Sequence, residues 1–240
     1  MLDAYYVVKS NMLISGSVVL LFLCCLLPVF FRRKKQQRAL REKLLSRLSS
    51  RSERLLYSLE MISDRYLTKE TKVFFLEYLL YVIGQLKKAN YQSKFVSKQA
   101  FLVHLLTELK SGRLQVARER VGSQEQFDQV CGALKYILRE MRNIPENRVV
   151  SRVIVKHHIV LVRYAHALAY RDLLVKQAGL DLDNDKKGQA LEKYRIALSL
   201  IENNRSVSSS KREMVRLQSM IQDVEKVLFS KKDKTEPELK

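Results

Sequence analysis

The stretch RYAHALAYRDLLVKQAGLDLDNDKKGQALEKYRIALSLIENN, residues 163–204, indicates how the body of this chain is built. Its apolar residues keep helical spacing up to an acidic turn, and a second helical pattern follows that turn. In the second segment, Ala190 and Ala197 are small and Tyr194 is aromatic. Small residues let two helices approach closely, and an aromatic ring fills the space above them. We therefore predict a helical hairpin in which Ala190, Tyr194 and Ala197 pack against the first helix.

This hairpin resembles the repeat unit of tetratricopeptide proteins, and it is also similar to the three-helix bundle of the microtubule-interacting-and-trafficking family. The likeness rests on the two alanines and the tyrosine just described, and it covers residues 163–204 only. In the first helix, Ala178 fits the expected small residue, whereas Asp181 stands where an aromatic is expected. No second copy follows at the repeat period of about 34 residues. The resemblance implies a helical hairpin with a groove for a peptide or helix; a core hairpin without a groove is the alternative.

The composition favours an all-α fold for the rest of the chain. There are 7 Gly and 3 Pro among 240 residues, whereas strand-rich folds need the turns that these residues supply. Leu, Lys, Arg, Glu, Gln and Ala, which favour helices, dominate instead. Residues 149–162 are β-branched and would suit a strand by propensity. We predict a helix there, because helical spacing continues into the hairpin and a lone strand would have no partner.

Caps and breaks organise the predicted helices into two subdomains. Thr68 is a predicted N-cap, Gly112 ends a helix and Ser123 opens another. The residue before Pro145 is disfavoured in a helix, so the chain is expected to break there. The predicted helices outside the hairpin cover residues 69–89, 94–111, 123–143 and 211–229. The resulting organisation is a helical subdomain at 67–144, a tetratricopeptide-like helical subdomain at 147–230 and a disordered tail at 231–240.

Residues 12–31, MLISGSVVLLFLCCLLPVFF, are twenty residues without a charge. A helix of about 20 apolar residues spans the hydrocarbon core of a bilayer. A cleaved export signal is the alternative, but it would have cations before a shorter apolar run and small residues at its end. Here one cation precedes the run, and the run ends in bulky residues. We predict a retained transmembrane helix, preceded by a short non-cytoplasmic N-terminus at 1–11.

The cations that follow this run set its predicted orientation. Lys and Arg stay on the cytoplasmic side of a membrane, so the residues after the span are expected to be cytoplasmic. Anionic headgroups also attract cations close to a membrane. The composition suggests a bacterial inner membrane. The residues predicted to contact the membrane surface are Arg32, Arg33, Lys34, Lys35, Arg38 and Arg41.

The net charge of +19 leaves three kinds of partner open. Residues 32–54 hold ten Lys or Arg and two Glu, and the remaining excess is spread over the rest of the chain. Lipid headgroups or simple solvation, an acidic protein partner, and nucleic acid would each suit a basic domain. The aromatic-basic and zinc-finger motifs of nucleic-acid binders do not occur in the sequence.

Residues 45–66 carry apolar side chains at heptad spacing over about three heptads. The seam consists of Leu45, Leu48, Leu55, Leu59, Ile62 and Tyr66, with Ser52 as its polar position. Because the seam is short, we prefer a single amphipathic helix that packs on its own domain. A homo-oligomeric coiled coil through 45–66 is the alternative. In both interpretations residues 32–66 form one basic juxtamembrane helix.

The sequence lacks the residue patterns of a catalytic, cofactor or metal site. Its four histidines do not form a metal-binding motif, and no glycine-rich phosphate loop or nucleophile elbow occurs. His104 lies on an apolar helix face and is predicted to be a core or boundary residue. We predict that the chain is not an enzyme and needs no cofactor.

These features predict a single-pass, membrane-anchored cytoplasmic scaffold or adaptor that recruits or positions protein partners. The partner itself is not identifiable from the sequence. The alternative is a membrane-tethered basic protein that binds nucleic acid.

Overall fold

The computed structural model describes residues 32–112, 119–144 and 151–232, and these residues form helices and turns without any strand. This confirms the predicted all-α fold. The first helix, α1, covers residues 32–60. The helices that follow are α2 (Lys69–Lys88), α3 (Lys94–Ser97), α4 (Gln99–Ser111), α5 (Gln124–Arg142), α6 (Arg152–Asp183), α7 (Lys187–Glu202) and α8 (Ser210–Lys232).

Local capping accounts for most of these helix ends. The side chains of Thr68, Ser93 and Ser123 accept hydrogen bonds from backbone N–H groups in the first turns of α2, α3 and α5. At the other end of α4, Gly112 adopts a φ of 74°, which is a left-handed conformation that glycine reaches without strain. The predicted cap at Thr68, the predicted start at Ser123 and the predicted stop at Gly112 are confirmed.

Two predicted helices differ from the structure at one end or in the middle. The helix expected at 94–111 is divided into α3 and α4 at Lys98. The helix expected to continue to residue 66 ends at residue 60, and a turn follows. Ile62 and Tyr66 are nevertheless buried, because that turn folds back over the core. Tertiary contacts, rather than the heptad spacing, therefore decide where α1 stops.

One apolar core joins the two halves of the chain. Its members come from α1 and its following turn and from α2 to α8. Helix α5 packs on α6, so side chains from both predicted subdomains, 67–144 and 147–230, contribute to the same core. Most of this core consists of leucine, isoleucine, valine and phenylalanine side chains, whose burial is the main favourable term in folding.

The C-terminal half is built on the predicted hairpin. Helices α6 and α7 pack on each other, and α8 packs on α7. The segment at 152–162 is helical, as predicted, and forms the first turns of the long helix α6. The turn between α6 and α7 includes Asp185, which has a φ of 58°.

No helix in the described part of the chain is both long enough and apolar enough to span a bilayer. The predicted span at 12–31 and the predicted N-terminus at 1–11 lie outside the described residues, as do residues 233–240 of the predicted tail. The structure therefore does not test the predictions for residues 1–31 and 233–240. The disorder predicted for residues 231 and 232 is wrong, because α8 continues to Lys232.

Candidate functional site

The first part of α1 is a basic arm, defined here as residues 32–44, in which every described residue is exposed. The basic arm holds seven Lys or Arg and one Glu. All six residues predicted to contact the membrane surface are exposed on it: Arg32, Arg33, Lys34, Lys35, Arg38 and Arg41. These charged side chains keep their contact with water, where they avoid the cost of burial.

Contacts with the body of the protein begin just beyond the basic arm. The hydroxyl of Ser49 donates to Ser93 Oγ over 2.9 Å. Arg51 donates through Nε to Glu140 Oε2 over 2.8 Å, and the hydroxyl of Tyr136 donates to the carbonyl of Arg51 over 3.1 Å. At a rise of about 1.5 Å per residue, the helix before Ser49 extends about 25 Å away from these contacts. The basic arm therefore projects from the core.

Two large apolar side chains accompany the cations of the basic arm. Leu40 is 61 % exposed and Leu44 is 64 % exposed. They lie four positions apart, so they share one face of the helix. Helices with an apolar stripe between cations bind at the interface of anionic bilayers. The basic arm therefore exposes apolar and cationic side chains together.

The end of the body from which the basic arm leaves is also basic. Glu140 binds Arg51 near the end of α5, and Ser93 binds Ser49 just after α2. Both contacts place the C-terminal ends of α5 and α2 beside the root of the arm. The exposed cations at these ends and beside α3 are Lys87, Lys88, Lys94, Lys98, Arg139 and Arg142. Part of the charge excess outside the arm is thus gathered at this end.

The three residues predicted to pack the hairpin are buried in it. Ala190 and Ala197 are fully buried and Tyr194 is 6 % exposed. Burial raises the pKa of the Tyr194 hydroxyl. Since these side chains face the interior, they contribute to helix packing and offer no surface to a bound peptide. The alternative of a core hairpin fits this location.

Most side chains of the seam at 45–66 are buried against other residues of this chain. Leu55, Leu59, Ile62 and Tyr66 are all buried in the core, and the polar position, Ser52, is buried as well. Leu45 and Leu48 are partly buried against the same core. This matches the preferred interpretation of a helix that packs on its own domain. An oligomer through this segment stays a prediction, with the exposed leucines of the basic arm nearest to it.

A buried ionic cluster, which sequence reasoning missed, lies between the turn after α1, α6 and α8. Asp172 accepts hydrogen bonds from both Nε and Nη2 of Arg65, from the hydroxyl of Tyr66 over 3.0 Å and from Nη1 of Arg171 over 2.6 Å. Arg171 Nη2 lies 2.6 Å from Glu213 Oε2. The cluster comprises Arg65, Tyr66, Arg171, Asp172 and Glu213, so its two cations are balanced by two anions.

The side chains of this cluster are shielded from water, which makes their pairing necessary. Arg171 is fully buried, and its Nε has no hydrogen-bond partner among the described residues. Burial alone would raise the pKa of Asp172, but the hydrogen bonds and charges of Arg65 and Arg171 outweigh it and lower that pKa. Burial raises the pKa of Tyr66, whose hydroxyl oxygen also accepts a hydrogen bond from the N–H of Val121 over 2.7 Å. The cluster and its hydrogen bond from Val121 therefore connect four segments: the turn after α1, the residues before α5, α6 and α8.

A cysteine thiol and a histidine imidazole lie within hydrogen-bond distance of each other among the described residues. Cys131 Sγ lies 2.9 Å from His166 Nε2, in the contact between α5 and α6. Burial lowers the pKa of His166, and the charge of Lys135 adds to this effect. A neutral imidazole can accept a hydrogen bond from a thiol. Cys131 is buried in this contact between the two helices.

Metal-ligating side chains are dispersed in the part of the chain that the structure describes. Within the described ranges, no group of three or more His, Cys, Asp or Glu side chains is placed to hold a metal ion. The prediction for His104 is wrong, because its side chain is 72 % exposed and pairs with Glu108 along α4. The face of α4 that carries His104 points to solvent, and the apolar pattern there includes the exposed Phe101 and Val103.

Comparison of the chain with models of known families, with curated proteins and with solved structures finds no match. The features of this chain that bear on its function are the exposed basic arm and the surface of the body beside it.

Proposed function

We propose that this chain is a single-pass, membrane-anchored scaffold or adaptor whose helical body positions protein partners at the cytoplasmic surface of a membrane. The observation that carries the proposal is the basic arm, which is fully exposed and follows directly on the uncharged run at 12–31. Helices with this sequence of features leave a bilayer on its cytoplasmic side.

The basic arm has the charge that such a role requires. Each cation near an anionic leaflet contributes about 1 kcal/mol of attraction, so the excess of cations in the arm gives several kcal/mol. Leu40 and Leu44 supply apolar area that the same surface can bury. The arm would then lie on the bilayer and hold the body beside it, with the basic ends of α2 and α5 towards the headgroups.

In this proposal, the body is the part of the chain that binds partners. Its buried residues stabilise one continuous core, and its exposed apolar side chains are distributed over several helices. The tetratricopeptide-like hairpin is part of this proposal as a packing unit, because Ala190, Tyr194 and Ala197 are turned inward. Partner binding is therefore assigned to other surfaces of the body.

Protease protection of the full chain in bacterial inner membranes tests the anchor and its orientation. We expect the body to be protected from protease added at the outer face and digested once the membrane is opened. Replacing all six predicted membrane-surface cations with glutamine should reduce this protection, because the charge bias that sets orientation is lost. A body that is digested in intact spheroplasts, or released without detergent, would contradict the proposal.

A matched control separates position from total charge. The control variant replaces six exposed cations of the body with glutamine: Lys87, Lys88, Lys94, Lys98, Arg142 and Arg205. Since these residues lie far from the predicted span in sequence, the orientation of the control variant should remain that of the wild type. If both variants change orientation equally, total charge rather than the arm is responsible.

Nucleic-acid binding by the membrane-tethered chain is the second candidate, and the cations gathered around the ends of α2, α3 and α5 favour it. Gel shifts of the full chain in neutral detergent micelles test it directly. A nucleic-acid binder would show an affinity that falls steeply with salt, because each phosphate contact releases a counterion. Absence of binding at low salt would remove this candidate. Affinity capture from nuclease-treated and untreated lysates discriminates further, since an adaptor's partner survives the nuclease.

A further inference from the structure

Helices α1 and α5 form an open groove with a volume of about 480 Å³ on the outside of the body. The two helices run antiparallel. Arg51 binds Glu140 at one end, and at the other the hydroxyl of Ser63, just after α1, donates to the carbonyl of Glu119, just before α5. The residues that matter for the groove are Arg54, Tyr57, Asp128, Gly132, Tyr136 and Arg139. We call this surface the α1–α5 groove.

The walls of the α1–α5 groove have the side chains that dominate protein interfaces. Tyr57 is 63 % exposed, on the part of α1 that packs on the core. Across the groove, the guanidinium of Arg139 lies 4.9 Å from the centre of the Tyr136 ring. Tyrosine and arginine are the residue types most enriched in interface hot spots.

The floor of the groove allows a close approach. Gly132 lies exposed in the middle of α5, and a Cβ placed there would meet no atom of the described residues within 4 Å. Glycine at an exposed helix interior costs about 1 kcal/mol relative to alanine, and the packing of this chain does not require it. Together with Ala133, it leaves room for a second backbone between the two tyrosines.

Charge in the groove is divided between its two ends. Arg54 and Arg139 line it towards the end where α1 and α5 are joined by the Arg51–Glu140 pair. Asp128 lines it towards the opposite end, in the first turns of α5. A bound segment with a carboxylate at the arginine end and a cation at the Asp128 end would match both. This polarity also fixes the direction in which the segment lies.

We propose that the α1–α5 groove binds an amphipathic α-helix of a partner protein, with an acidic residue of that helix between Arg54 and Arg139. The apolar side of the helix would cover Tyr57 and Tyr136, and its closest approach would be over Gly132. An α-helix fits the groove between two antiparallel helices, because the side-chain ridges of one helix pack into the grooves of its neighbours. This inference rests on the proposed adaptor function for its role in the cell, and it names the class of partner.

The test uses the full chain in nanodiscs of neutral phosphatidylcholine, so that lipid charge plays no part. The probe is a displayed library of random amphipathic helices long enough to line α1 from Arg54 to Met61. We expect selection to enrich helices with Glu or Asp at one end and Lys or Arg at the other. The double variant Arg54→Glu, Arg139→Glu should instead enrich helices with Lys or Arg where the wild type enriches Glu or Asp.

A variant that fills the floor tests the site without weakening the fold. Gly132→Leu should reduce the affinity of the enriched helices about tenfold or more, while the thermal midpoint of the chain stays the same or rises. The control is Gly188→Leu, at another exposed helical glycine where a Cβ meets no described atom within 4 Å. It should leave the affinity unchanged.

Three outcomes would overturn the inference. One is enrichment without any charge preference, or no enrichment at all. Another is equal weakening by Gly132→Leu and Gly188→Leu. The third is a concentration-dependent dimer of the wild type that Gly132→Leu abolishes, because the occupant would then be a second copy of this chain. Loss of orientation in the protease assay, with helix binding intact, would refute the membrane anchor and leave the groove standing.

Discussion

Arginine has opposite roles in two regions of this molecule. Arg32, Arg33, Arg38 and Arg41 stand exposed on the basic arm, whereas Arg171 is fully buried in the ionic cluster. Each of these arginines, exposed or buried, adds one positive charge to the net charge of +19. The exposed arginines are available to a surface outside the protein, while the charge of Arg171 is met by Asp172 and Glu213 inside it. Net charge therefore indicates a type of partner only after the buried pairs are set aside.

The largest expected effect on stability comes from the centre of the ionic cluster. Asp172→Asn leaves Arg65 and Arg171 with one carboxylate between them, and breaking a buried ion pair costs about 3–5 kcal/mol. We expect a marked fall in the denaturation midpoint of the full chain in detergent, followed by circular dichroism. Asp128→Asn, at an exposed aspartate, is the control and should change stability by no more than about 0.5 kcal/mol. Similar midpoints for the two variants would show that the cluster does not hold the fold.

The same cluster predicts a loss of stability in acid. The pKa of Asp172 is lower in the folded chain, chiefly because the hydrogen bonds from Arg65 and Arg171 outweigh the effect of burial. Its stabilising contribution is complete above the unfolded value of about 3.9 and is lost as the pH falls through the lower folded value. The difference in midpoint between wild type and Asp172→Asn should therefore shrink as the pH is lowered through this window. A difference that is constant with pH would contradict the assignment.

A smaller loss of stability is expected when larger side chains are placed in the closely packed, uncharged contact between α6 and α7. Ala190→Leu and Ala197→Leu place extra methylene groups in the contact between α6 and α7, which typically costs about 1–3 kcal/mol. Thermal unfolding of each variant measures this cost. Gln189→Leu, at an exposed neighbouring position, serves as the control. If Ala190→Leu is as stable as the control, the two helices are not packed as closely as the structure shows.

The smallest effect on stability is expected for the basic arm itself. Replacing its six predicted membrane-contacting cations with glutamine should change the free energy of unfolding by less than about 0.5 kcal/mol, because their side chains are exposed. The same variant should also lose its preference for anionic over neutral bilayers. The measurement is the distance between a label on the body and the headgroups, compared between the two kinds of bilayer. A large loss of stability would mean that the arm is part of the fold.

Much of the local structure was predictable from the residues, for identifiable reasons. The caps at Thr68 and Ser123 and the glycine that ends α4 act within a few residues of the helix ends, so their effects can be read from the sequence. The exposure of the basic arm follows from its density of charge, which a core cannot accommodate. The sequence did not predict the division of 94–111 at Lys98. The early end of α1 was not predicted either, because it depends on burial of Ile62 and Tyr66 in a core formed by distant residues.

The α1–α5 groove and the ionic cluster show what the sequence could not indicate. Arg65 and Asp172 are 107 positions apart, and Arg51 and Glu140 are 89 apart. Nothing in the residues near Asp172 identifies it as the acceptor of hydrogen bonds from two arginines. Likewise, the apolar face of α4 predicted a semi-buried His104, which the packing leaves exposed.

The sequence by itself determined that this protein is helical and where most of its helices begin and end. It also placed a strongly basic helical segment directly after a long uncharged run. Backbone hydrogen bonds four residues apart, capping side chains and local charge density are enough for this, because each acts over one or two helical turns. Only the tertiary structure decided which arginines face water and which are neutralised inside. That decision depends on partners brought together by burial of the common core, and their separation along the chain leaves no local pattern.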